Sequence, residues 1–251
     1  MLRRPTVLVI AGSDSSGGAG LARDLAALRD QGVDAVCTLT AVTAQSDRRV
    51  HAVHPVPAPV IVAQIRAALE SRPIGAVKIG MLGHAASVHA VVEGLAQSPP
   101  VPLVLDPVLR ASSGAALLDA EGESAMRERL FPLTTLLTPN LPEAAHLVGL
   151  AASADADTAT RLEWARRLLE LGPRAVLIKG GHASDEAAAD LLASGDGRRR
   201  WFASPRIAAS CRGTGCALAS AIAAALACGE PLEEACWHAR EYVLNLLAET
   251  A

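Results

Sequence analysis

Short runs of valine, isoleucine and leucine alternate with amphipathic stretches through most of this 251-residue chain, and that rhythm leaves few folds open. The runs at 7–11, 35–40, 76–79, 103–106, 136–138 and 175–179 read as buried strands, because they are short and nearly continuous in apolar character. Between them, helical periodicity predicts helices over 21–31, 60–71, 85–97, 124–130, 143–149, 158–171, 216–228 and 232–248. Gly32 and Gly172 stop two of these helices. Strand–helix–strand units of this kind build a mostly parallel sheet with helices on both faces. Two segments break the rhythm. Gly195-Asp196-Gly197 joins 189–193 to 199–202 as a β-hairpin at a sheet edge. Residues 41–54 are too polar for core and too β-rich for a simple loop, which suits a flap over a site. Repeats and linkers are absent, so one domain over residues 1–251 is expected.

Composition narrows the function. The chain is 51% hydrophobic but only 2% aromatic, so its core rests on Ala, Val and Leu, as buried parallel strands under Ala-rich helices require. A net charge of −3 without a basic stripe argues against a nucleic-acid partner. No apolar run approaches the ~20 residues that span a bilayer. The stretch after Arg4 breaks at Gly12 and reads as a first strand, not a signal peptide, so a cytoplasmic protein is expected. The five cysteines are odd in number and lack a C-x-x-C pair, which fits reduced thiols. His51, His54, His84, His89 and His182 show no zinc spacing.

Polar and glycine-rich residues follow the strand ends at 12–20, 80–83, 106–107, 138–140 and 179–182. In an open α/β sheet, ligands collect beyond the carboxyl ends of the strands. Gly213-Thr214-Gly215-Cys216 opens an apolar helix, whose free N–H groups and dipole make an anion site; the alternative is an ordinary loop before a buried helix. The segment 12–20 is neither a Walker loop nor G-x-G-x-x-G. It either leaves room for a small ligand against bare backbone or is a tight turn, with Asp24 one helical turn further in. Asn140-Leu141-Pro142-Glu143 reads as a helix cap, or as a carboxylate that orients magnesium near a phosphate. Lys179 is a point charge for a nucleotide phosphate, or a lysine snorkelling from a strand end. Asp106 is a carboxylate at the same sheet edge.

Seven blocks occur in order: AGSDSSGGAG (11–20), TAQ (43–45), VKIGMLG (77–83), VLDPV (104–108), TPNLPEA (138–144), IKGGH (178–182) and GTGC (213–216). Through them the chain resembles the hydroxymethylpyrimidine/phosphomethylpyrimidine kinases of thiamine biosynthesis, within the ribokinase-like superfamily. The resemblance implies a three-layer α/β sandwich with a small flap, using ATP and Mg2+. Its substrates would be hydroxymethylpyrimidine and then the monophosphate. On the pyrimidine side it implies Gly12, Asp24, Gln45, Gly80, Met81 and Val108, with Gln45 offering donor and acceptor to the ring edge. For ATP it implies Asp106, Thr138, Asn140, Glu143, Lys179 and Thr214, with Glu143 and Asp106 addressing Mg2+, directly or through water. Gly213, Thr214, Gly215, Lys179 and Cys216 would be catalytic. Cys216 stands where the sugar kinases of the superfamily carry an aspartate base. A helix N-terminus is expected to lower its pKa and make it a weak base or a positioner of the hydroxyl. Family members often pair, which implies a homodimer.

The chain departs from the family pattern in places. Ala22-Arg23-Asp24 replaces Gln-Ala-Asp, Gln45-Ser46-Asp47-Arg48-Arg49-Val50 replaces Gln-Asn-Thr-Arg-Gly-Val, and Cys211-Arg212 replaces Thr-His. Arg48 or Arg212 would suit the phosphate of the monophosphate substrate; the alternative is that both are solvated. The Gly- and His-bearing tail common in the family has no counterpart here, a difference expected to leave core binding intact. Pyridoxal kinase is the nearest competing reading, against which Gln45 argues. Cys216 argues against a sugar kinase. Lys179, Glu143 and Gly-Thr-Gly argue against a non-catalytic pyrimidine-binding protein.

Overall fold

The computed structural model describes residues 4–111, 113–151, 156–180, 187–205, 207 and 211–250. Gly181 and His182, the end of the sixth sequence block, lie outside them. In chain order the elements are β1 (Thr6–Ala11), α1 (Gly20–Asp30), β2 (Asp34–Leu39), β3 (Ala41–Gln45), β4 (Val50–Pro55), α2 (Ala58–Ser71), β5 (Ala76–Ile79), α3 (Ala85–Leu95) and β6 (Leu103–Leu105). There follow α4 (Ala120–Ala125), β7 (Leu136–Leu137), α5 (Leu141–Leu147), α6 (Thr158–Glu170), β8 (Ala175–Ile178), β9 (Ala187–Ser194), β10 (Arg199–Pro205), α7 (Thr214–Ala227) and α8 (Leu232–Ala248).

The main sheet has the order β10-β9-β8-β7-β6-β5-β1-β2. From β2 through β8 all neighbours are parallel, and the β9–β10 hairpin closes one edge antiparallel, longer than the sequence suggested. Strand β1 shows why. Val7, Val9 and Ala11 point to one face and pack with α7 and α8; Leu8 and Ile10 point to the other and pack with α2 and α3. All five are at most 1% exposed. Each fully buried Val, Leu or Ile is worth roughly 1.5–3 kcal/mol. A strand that is apolar at every position therefore demands a helix layer on each side.

Some helix boundaries shift. The helix expected over 124–130 begins earlier, at Ala120, behind an Asp119 cap, and runs into a π-helical turn, Met126–Leu130. The chain moves from β1 to β2 in one direction and later to β5 in the other, so the carboxyl ends of β1 and β5 flank a topological switch point, where crevices form. Residues 41–54 do stand apart, as the two-stranded antiparallel sheet β3–β4 with a register shift at Ala44/Gln45. The loop after β1 pins this flap: Thr43 Oγ1 donates to Ser13 O at 2.7 Å, and Gln45 N to Ser15 Oγ at 2.8 Å. Among the described residues, no helix is long and apolar enough to cross a membrane.

Candidate active site

A cleft of about 930 Å3 opens over the carboxyl ends of the parallel strands. It runs from Gln45 and Met81 at the flap, past residues 213–216, to Leu247 on α8. Its centre is the start of α7. Among the described residues no side chain caps this helix and no acidic residue sits in its first turn, which leaves its first N–H groups open to a ligand. Gly213 holds the turn at φ +74°, where a Cβ would lie 2.4 Å from Gly18 O. Only glycine lets this turn pack against the loop after β1.

Lys179 and Asp106 face that turn. Lys179 Nζ donates to Asp106 Oδ1 at 2.8 Å, and Thr138 Oγ1 donates to the same oxygen at 3.3 Å. A Cβ on Gly215 would stand 3.3 Å from Lys179 Nζ and 3.6 Å from Asp106 Oδ2, so the bare backbone of the turn borders the ion pair. Burial pulls the Lys179 ammonium down, but the Asp106 and Glu143 carboxylates outweigh it and its pKa is raised. Asn140 and Glu143 form a reciprocal cap: Asn140 N donates to Glu143 Oε2 at 2.9 Å and Glu143 N to Asn140 Oδ1 at 2.8 Å. The capping reading of this pair is thus correct, yet Glu143 also lines the cleft. Burial pushes its carboxyl up to about 7, against the pull of Lys179.

Beneath the turn lies a second ion pair. Lys78 Nζ donates to Asp24 Oδ1 at 2.7 Å, Ser220 Oγ donates to the same oxygen at 2.8 Å, and neither charged side chain has any exposure. Burial raises the Asp24 pKa despite Lys78. Burial opposes the Lys78 charge, but Asp24 more than restores it.

Several expectations need correction. Asp24 does not line the cleft: α1 turns it inward against β5 and α7, where the Lys78 ammonium and the Ser220 hydroxyl are its partners. Gly80 also lies behind the cleft, where a Cβ would be 2.9 Å from Lys78 Nζ. Thr138 is fully buried and reaches the cleft only through its bond to Asp106. The Cys216 thiol is not lowered; burial pushes it up to about 11, with Asp24 and Asp106 adding to the rise and Lys78 opposing it. The half-charge of a helix end does not offset desolvation of a thiolate.

Gly12, Gln45, Met81, Val108, Asp106, Asn140, Glu143, Lys179 and residues 213–216 all line the cleft. Of the two arginines weighed for the acceptor phosphate, Arg212 lines it, whereas Arg48 is exposed on the flap. Sequence reasoning missed Lys78, although a lysine inside the apolar strand β5 had to have a buried partner. It also missed the far end of the cleft, where Val243, Leu244 and Leu247 of α8 supply an apolar wall. Nothing but tertiary packing distinguishes those residues from any other helix face.

An uncapped helix start, a lysine–aspartate pair beside it and a cleft with an apolar end define a small-molecule phosphotransferase of the α/β class. The family model described as phosphomethylpyrimidine kinase matches residues 14–251, and the chain belongs to that family. It is 41% identical over 241 residues to the hydroxymethylpyrimidine/phosphomethylpyrimidine kinase of Haemophilus influenzae, covering 94% of this chain and 88% of that one. It is 44% identical to the thiamine biosynthesis bifunctional protein ThiED of Geobacter sulfurreducens, covering 96% of this chain but only 48%, about half, of that protein. Among solved structures, the pyridoxal kinase of Staphylococcus aureus in complex with AMP-PCP and pyridoxal is similar at TM-score 0.87 and 31% identity, covering 98% and 88% of the two chains.

Proposed function

We propose that this chain transfers the γ-phosphoryl group of ATP to the hydroxymethyl oxygen of hydroxymethylpyrimidine, and then to the resulting monophosphate, in thiamine biosynthesis or salvage. The observation that carries this is the uncapped start of α7 with the Lys179–Asp106 pair beside it, set between two different ends of one cleft. At the flap end, the Gln45 side-chain amide has no hydrogen-bond partner among the described residues and stands near Met81 and Val108. A donor and an acceptor above an apolar floor suit the edge and face of an aminopyrimidine. At the α8 end, the apolar wall suits a nucleotide base, in keeping with the ATP analogue AMP-PCP bound by the Staphylococcus aureus relative.

In this reading the acceptor oxygen attacks Pγ, the Pγ–O bond to the β-phosphate breaks, and ADP leaves. The transition state spreads negative charge over the equatorial oxygens of the transferring group. The N–H groups of Thr214, Gly215 and Cys216 and the Lys179 ammonium are preorganised to receive that charge. Cys216, a thiol at neutral pH, positions the hydroxyl rather than deprotonating it, and the proton departs late.

Asp106 and Glu143 fit a magnesium ion. Mg2+ needs few protein oxygens besides phosphates and water, and a carboxyl pushed to about 7 by burial is one that an added cation would ionise. Bound there, it would neutralise phosphate charge. We also read the chain as one cytoplasmic catalytic unit with 41–54 as its flap, and as a homodimer. Exposed Val42 and Val53 on the flap offer apolar surface to a second copy, and sedimentation velocity tests the pairing.

The test is ADP release from Mg-ATP with hydroxymethylpyrimidine, its monophosphate and pyridoxal side by side. Turnover with both pyrimidines is expected. The likeness to a pyridoxal kinase makes pyridoxal the one competing acceptor, and a clear preference for it overturns the reading.

A further inference from the structure

Arg212 lines the cleft but has no part in the steps above. Arg212, immediately before the α7 turn, bridges three segments: its Nη2 donates to Asp14 Oδ2 at 3.0 Å, and its Nη1 to Ser16 Oγ at 2.8 Å and to Asp47 Oδ1 at 2.7 Å. The two carboxylates differ. The Asp14 side chain is 3% exposed and is itself fixed by bonds from Ser16 N and Oγ at 2.9 and 2.8 Å. Asp47, at the flap tip between β3 and β4, is 80% exposed and makes no other hydrogen bond among the described residues. Asp14 is thus an anchor and Asp47 an exchangeable occupant.

The rest of the cleft narrows the role. Lys78 and Lys179 are committed to Asp24 and Asp106. Arg240 is held by Asp190 at 2.8 Å, and Arg110 donates to Gly114 O within its own loop at 3.2 Å. Arg212 adjoins both the α7 turn and the loop after β1: a Cβ on Gly18 would sit 3.2 Å from Arg212 Nη1.

We propose that Arg212 is the specificity residue that admits a phosphorylated acceptor, and that Asp47 occupies its guanidinium until such an acceptor arrives. An exposed aspartate holds a guanidinium weakly, whereas a phosphate dianion offers it two parallel charge-assisted hydrogen bonds. A neutral alcohol leaves the Arg212–Asp47 contact intact. A monophosphate displaces Asp47 from Nη1, and Asp14 keeps the guanidinium aimed into the cleft. The inference rests on the reading above that both pyrimidines are acceptors.

The test compares kcat/KM for hydroxymethylpyrimidine and its monophosphate in the wild type, D47N, R212Q and R110Q. The ratio of monophosphate to alcohol is expected to fall at least about tenfold in R212Q, the size of a lost charge-assisted bond. It is expected to rise about threefold in D47N, in line with removal of a weak exposed competitor. Should R212Q disturb the loop, D47N decides alone, because Asp47 is exposed and, among the described residues, bonded only to Arg212. A ratio unchanged in D47N overturns the proposal, as does a ratio that moves in R110Q instead. A wild type that turns over the alcohol but not the monophosphate overturns it too. A wild type that turns over neither pyrimidine fails the functional reading itself. Turnover of both with a constant ratio fails only the inference.

Discussion

Lys78 on β5 and Asp24 on α1 meet at 2.7 Å with no solvent exposure on either side chain, directly below the turn that opens α7. Among the described residues Asp24 Oδ2 has no hydrogen-bond partner, so beyond the Ser220 hydroxyl the pair depends on its own attraction. Removing one member strands a charge in the interior. D24N or K78M is expected to cost about 3–5 kcal/mol in denaturant unfolding, and the double variant D24N/K78M less than the sum of the two singles. Additive losses would show that the pair is not coupled.

Cys216 is expected to react as a thiol, not as a thiolate. Its pKa, pushed up to about 11, predicts that carboxymethylation at this residue, followed by peptide mass spectrometry, accelerates with pH and shows no plateau below about pH 10. A plateau near neutrality would restore the thiolate. C216A is expected to lower kcat by about tenfold, as suits a positioner more than a general base. Full turnover in C216A would remove the residue from the mechanism.

Glu143 links stability to pH. Its folded pKa of about 7 lies above the ordinary 4.5, so the folded state holds the proton more tightly than the unfolded chain. The stability this contributes is complete below 4.5 and is lost as pH rises to about 7. In E143Q the cap can persist, because glutamine serves in a capping box. Urea unfolding at pH 5 and pH 8 is therefore expected to show E143Q gaining relative to the wild type at the higher pH. An equal difference at both values would contradict the raised pKa.

Gln45 is expected to act on the acceptor alone. Its backbone is held to the Ser15 hydroxyl, and its amide projects from the flap without a hydrogen-bond partner among the described residues. Q45A should raise KM for hydroxymethylpyrimidine by about tenfold, the worth of one or two hydrogen bonds, and leave KM for ATP in place. A parallel rise in both constants would make Gln45 a support of the flap instead.

The sheet was legible because β1, β5 and β8 are apolar at nearly every position, a pattern that only a doubly covered strand satisfies. Lys179 and Asp106 were legible for the same reason, since each stands where such a strand runs out. Asp24 was misplaced because helical periodicity tells which residues share a face, but not that Lys78 waits opposite it. Cys216 was misjudged because the helix terminus is written in the sequence and the desolvation that overrides it is not. The α8 wall carries no motif at all; its role comes from where the last helix docks.

Helix α7 is buried along Ala217, Leu218, Ala219, Ser220, Ala221, Ile222, Ala223, Ala224 and Ala225, and its first turn is the proposed anion site. A methyl group added along that stretch strains a packed core, and any shift of the helix that relieves the strain moves the N–H groups at its tip. Mutational drift therefore has no silent face on which to accumulate here. Engineers who repack the middle of this enzyme for heat tolerance will meet the result as altered turnover.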